Sequence, residues 1–194
     1  MEELAADLIH ENVDLIVAIT NVAATGAKKA TETAGRTDLP IVFSHSNTPD
    51  ATGLIKSFQS SGNNLTGVAV NFVEVTEKKL ELLQRINPGI KRVGAFDADI
   101  TDPAGKFVLT ELRKAAPKFD MEIVSYKLRK NPGPEATAEL LAIASSIKPG
   151  DIDAFFYGPG PVLNPPPSVS VLVEAVKRLG IPAVFHTDSQ ADLG

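Results

Sequence analysis

Short apolar runs alternate along the chain with longer stretches whose apolar positions recur at helical spacing. That alternation predicts an α/β protein with parallel sheets flanked by helices on both faces. Residues 14–20 (DLIVAIT) form a nearly continuous apolar run, the pattern of a strand buried on both sides. An amphipathic helix over residues 2–12 precedes it, with Leu4, Leu8 and Ile9 on its apolar side, and an Ala-rich helix over 22–34 follows. Next come a strand over 40–45, a short helix over about 50–59 with Asp50 as its cap, and a strand over 65–70. A second series then begins with a helix over 76–86, capped by Thr76, and a strand over 92–96. Thr101-Asp102-Pro103 starts a helix running to about residue 116, followed by a strand over 121–127. The series closes with a helix over 134–147, a strand over 153–157, a helix over 168–179 ended by Gly180, and a strand over 183–186. This order divides the chain into a first lobe (1–70), a crossover (71–75), a second lobe (76–185) and a return crossover (186–194).

Composition narrows the function. A net charge of −5 with no basic run argues against a nucleic-acid-binding face, and Lys28-Lys29 and Lys78-Lys79 read as solvated helix positions. The absence of cysteine removes disulfides, thiolate catalysis and Cys-type zinc sites. No apolar run approaches the roughly 20 residues that span a bilayer, and the acidic, amphipathic N-terminus does not read as a signal peptide. There is no Gly-x-Ser-x-Gly elbow and no Walker-type GK[ST]. Gly158-Pro159-Gly160 is half of a dinucleotide fingerprint, but Pro165-Pro166-Pro167 delay the helix that would receive a pyrophosphate. His10, His45 and His186 are too widely spaced to predict a metal site. Binding without a metal or cofactor is the expectation, rather than catalysis.

The segments DLIVAIT-NVAATGAKKAT, LPIVFSHSNTPDATGLIKSF, GNNLTGVAV and KKLELLQRINPGIKRVGAFD resemble the ABC-transporter substrate-binding family typified by tryptophan and tyrosine binders. DIDAFFYGPGPVL and LGIPAVFHTD agree with it further along the chain. The resemblance implies a type I periplasmic-binding-protein fold: two Rossmann-like lobes, with a small solute held in the cleft between them. It further implies an extracytoplasmic protein, soluble or lipid-anchored, that delivers an amino acid or related compound to permease subunits. Family members extend beyond this chain at both ends. The first lobe is therefore expected to be incomplete, with an exposed sheet edge and a tendency to self-association. Two other readings fit the same fold: the ligand-sensing effector domain of a regulator, and a Rossmann-type enzyme.

Ligands of open α/β sheets bind beyond the carboxyl ends of the strands. That rule selects Thr20 and Asn21, whose hydroxyl and amide groups suit an amino-acid carboxylate, or which simply cap the next helix. It also selects Ser44, His45, Ser46 and Asn47 after the second strand, and Asn71 at the crossover. In the second series Asp97, Asp99 and Thr101 follow a strand and precede a helix; the two carboxylates suit a ligand ammonium, or the segment is a solvated turn capped by Thr101 or Asp102. Tyr157, Gly158, Pro159 and Gly160 make a stiff loop in which the Tyr157 ring either stacks on a ligand or fills the core. His186 and Asp188 close the set.

Overall fold

The computed structural model describes residues 1–70, 75–97, 103–187 and 190. The chain forms two compact units, Met1–Asn71 and Phe72–Gly194.

Unit 1 contains α1 (Glu2–His10), β1 (Ile16–Ile19), α2 (Asn21–Thr33), β2 (Ile41–Asn47) and β3 (Leu65–Val70). Its strands pair in parallel in the order β1-β2-β3. The register sets Ile16 and Ala18 beside Ile41 and Phe43, and these beside Leu65 and Gly67. Together with Ala24, Ala27 and Ala30 of α2 and Ala5 of α1 they build the unit's apolar core. Alanine-rich α2 lies close to this face because its side chains are short.

The opposite face differs from the expectation of helices on both sides. Val17, Ile19 and Val68 are 64%, 62% and 70% exposed. The apolar run of β1 is therefore half buried, with its alternate side chains in the open. A second correction concerns residues 50–59, which form turns and no helix. One helix-like turn begins with Thr52 N–H donating to the Thr48 carbonyl. It stops at Gly53, whose φ of +75° reverses the chain, so exposed Asp50 has no helix to cap.

Unit 2 contains α3 (Val75–Ile86), β4 (Arg92–Asp97), α4 (Pro103–Ala115), a 3-10 turn (Ala116–Phe119) and β5 (Glu122–Lys127). It continues with α5 (Pro134–Ser146), β6 (Ala154–Phe156), α6 (Pro166–Leu179) and β7 (Ala183–Val184). The sheet is parallel, ordered β5-β4-β6-β7. Here both faces are covered. Leu140 of α5 and Leu172 of α6 pack with Phe155 on one side. On the other, Leu80 and Leu83 of α3 and Leu109 and Leu112 of α4 pack with Val93 and Phe156. Thr76 lies inside the first turn of α3 and is buried, so it is not the cap that its position suggested.

Candidate functional site

In unit 1 the strand ends of β1 and β2 carry a knot of unusual backbone and unsatisfied side chains. The register between β2 and β3 shifts between Phe43 and Ser46, so β2 holds one extra residue there. His45 absorbs it with φ +54°. Such a bulge re-aims the side chains beyond it. Ser46 pairs in register with Ala69 and is fully buried, while the His45 side chain is left exposed. Thr20 and Thr48 also have positive φ, +81° and +45°. Non-glycine residues in this region are strained, and strain of this kind gathers at functional sites.

The polar inventory of the knot is incompletely paired. Asn21 is buried at the start of α2 and its Nδ2 donates to the Asn47 carbonyl at 2.9 Å. Among the described residues its Oδ1 has no partner, nor have Ser46 Oγ, both amide atoms of Asn47, or Thr48 Oγ1. Thr20 is exposed and makes no side-chain cap of α2, which leaves its hydroxyl uncommitted to the helix. Ser44 Oγ lies 3.3 Å from His45 Nδ1 in an exposed pair. The structure thus brings Thr20, Asn21, Ser44, His45 and Asn47 to one rim. Ser46, selected with them, lies on the same rim, and Thr48 joins them without having stood among the candidates. The signal for Thr48 was present: an apolar strand ending in the polar run Ser44–Thr48 before Pro49.

In unit 2 the expected stacking role of Tyr157 is corrected. Its ring is fully buried, tilted against Phe185 at 5.5 Å between centroids, and its hydroxyl donates to the Leu163 carbonyl. Tyr157 is a core residue that fastens the loop after β6. Gly160 turns that loop with φ +156°, and its carbonyl accepts N–H groups of Leu163 and Asn164. Gly158 and Pro159 line an apolar recess with Phe96, Val108, Phe156 and Leu163. Asp97, the last residue of β4, is half-buried. Asn71, Asp99, Thr101 and Asp188 lie outside the described residues. Among the described residues no group of three or more His, Asp or Glu is placed to hold a metal ion.

His186 follows β7 and is partly buried; burial first, then the charge of Lys79, pushes its imidazole down to about 4. Its folded value lies below the unfolded 6.5, so between them the unfolded chain binds more protons. Stability is complete above the unfolded value and falls as pH drops toward the folded one. Thermal melts in this window are expected to lose about 2–3 kcal/mol through this group. His186→Gln is expected to flatten that slope; an unchanged slope would assign it elsewhere.

Lys79 corrects a further expectation. It is partly buried, with Nζ 5.5 Å from the Phe156 ring centroid, whereas neighbouring Lys78 is exposed and paired with Glu81 at 2.6 Å. Burial brings the Lys79 amine down to about 8.

This architecture has known relatives. A profile of the family described as "ABC transporter substrate binding protein" matches residues 2–149. The chain belongs to that family. A tyrosine-binding protein of Clostridioides difficile (strain R20291) is 28% identical over 123 residues, covering 63% of this chain and 33% of the relative. Among solved structures, an ABC domain from Streptococcus pneumonia in complex with L-Trp aligns with TM-score 0.80 at 20% identity. A conserved domain protein from Vibrio cholerae aligns with TM-score 0.83 at 21% identity. Both alignments cover 100% of this chain and 60% of the other. They establish the periplasmic-binding-protein fold, of which the chain spans about three fifths of these structures' length.

Proposed function

We propose that the chain is a solute-binding component of an ABC importer, acting outside the cytoplasm, that takes an amino-acid-class solute and passes it to permease subunits. The observation that carries this reading is the rim of unit 1. Asn21, Ser46 and Asn47 are 7%, 0% and 4% exposed, yet each keeps at least one side-chain polar atom without a partner among the described residues. A buried polar group left unpaired costs about 1–3 kcal/mol, which a ligand offering the missing donors and acceptors relieves on binding. Amide and hydroxyl groups of this kind match the polar end of an amino acid.

Family membership supports the solute-binding role over catalysis. The tyrosine-binding relative and the L-Trp complex make aromatic amino acids the first candidates. A thermal-shift screen of the amino acids tests the class. A ligand at one hundred times its dissociation constant adds about 2.7 kcal/mol, a shift of several degrees. L-Tyrosine or L-tryptophan is expected to raise the melting temperature. Silence across all amino acids would remove the proposed ligand class.

A further inference from the structure

We propose that Lys79 is a ligand-binding residue of unit 2, its ammonium receiving a carboxylate of the solute at the strand-end rim beside Phe156 and His186. The inference rests on the solute-binding reading above and adds to it a charged anchor and a preference for anionic ligands.

Position comes first. In a parallel βα series each helix begins where strands end. Lys79 stands in the second turn of α3, Phe156 is the last residue of β6, and His186 lies two residues beyond β7. All three therefore occupy the carboxyl rim of the sheet. The Lys79 amine sits over the Phe156 ring, which supplies an attractive face but accepts no conventional hydrogen bond.

Pairing comes next. The other charged groups of the first turns of α3 are accounted for on the surface: Glu77 with Lys118 at 2.7 Å and Lys78 with Glu81 at 2.6 Å. Among the described residues no carboxylate and no hydrogen-bond acceptor meets the Lys79 amine. His186, from another element, feels its charge and is helped by it to stay neutral. A cation drawn partly out of water without a counter-ion is costly, and the depressed amine value records that cost. An arriving carboxylate supplies the missing charge and up to three acceptor contacts, and by linkage raises the amine value again.

The experiment compares L-tyrosine with L-tyrosinamide, which lacks the carboxylate charge, by calorimetric titration of the chain. Lys79→Met keeps length and apolar packing while removing the charge; Lys79→Arg retains it. Lys79→Met is expected to weaken L-tyrosine binding about 10- to 100-fold, the range for a hydrogen bond to a charged group. L-Tyrosinamide binding stays within about two-fold of wild type, and Lys79→Arg keeps most of the L-tyrosine affinity. Wild-type affinity for L-tyrosine also falls as pH rises through 8, where the amine loses its proton. Equal binding of L-tyrosine by wild type and Lys79→Met would overturn the assignment and leave the solute-binding reading standing. If wild type binds neither probe, the aromatic amino-acid reading falls. Benzoate, a carboxylate without an ammonium group, then decides Lys79 through the NMR signal of its ε-carbon. A displaced signal with a raised titration point supports the anion site, and an unmoved one removes it.

Discussion

Replacing Gly67 by alanine is expected to break the β2–β3 pairing and melt unit 1 while leaving unit 2 folded. A β-carbon at this position would lie 2.0 Å from the Phe43 carbonyl oxygen and 2.7 Å from the Phe43 ring. The obstacle is backbone in the middle strand, held on both sides by parallel partners, so no rotamer change relieves it. Crowding of an ordinary core costs about 1–3 kcal/mol; here the strands must separate, and about 3–5 kcal/mol is expected. Hydrogen exchange reads the outcome directly. Amides of β2 and β3 should lose protection, and those of β4 and β6 should keep it. A Gly67→Ala chain with native protection in unit 1 would show that β3 can shift to admit a methyl group. Gly35→Ala is the useful contrast: φ is +65° there, but nothing lies within 4 Å of the added carbon. Its cost is backbone strain alone, about 1 kcal/mol.

Asn47→Leu is expected to make the ligand-free chain more stable and much poorer at binding. Asn47 is 4% exposed with neither amide atom partnered among the described residues, and leucine is of similar size. The substitution removes a desolvation penalty of about 1–3 kcal/mol without opening a large cavity. The backbone carbonyl that accepts from Asn21 Nδ2 is untouched by the change. L-Tyrosine affinity is expected to drop about 100-fold, because a ligand can no longer complete the amide. Urea titration of the ligand-free chain and calorimetry with ligand measure the two effects separately. A gain in stability with unchanged affinity would move the binding site away from this rim. A loss of stability would mean that the amide has a structural role in the empty chain.

Most elements are legible in the sequence because the βα alternation is written in hydrophobic period and in the prolines and glycine at helix ends. Every strand was recovered, and the helix ends differ by one or two residues. The sequence is silent where tertiary context decides. Residues 50–59 have helix-compatible composition, but Gly53 takes a left-handed conformation. Residues 14–20 look buried on both faces because Val17 and Ile19 are as apolar as Ile16 and Ala18; only packing tells that one side stays open. In the site, the chain order placed Asn21 and Asn47 at strand ends by topology alone. The bulge at His45, which decides that Ser46 is inside and His45 outside, leaves no mark in residue types. Tyr157 was legible as distinctive but not as buried, because an aromatic beside glycines and prolines fits either state. Lys79 was hidden by Lys78: two adjacent lysines on a helix point about 100° apart, and their sequence does not say which faces inward.

The division into two units has an optical consequence. Tyr126 and Tyr157 are the chain's two tyrosines, both belong to unit 2, and there is no tryptophan. Tyr126 stacks on Phe155 and Tyr157 lies against Phe185, so their emission and near-ultraviolet dichroism report the packing of that unit's core. Unit 1 carries phenylalanine as its aromatic residue, at Phe43 and Phe58, and is dark at tyrosine wavelengths. A melt followed by tyrosine would miss the collapse of unit 1 altogether. A tryptophan placed at exposed Phe58 would give unit 1 a colour of its own.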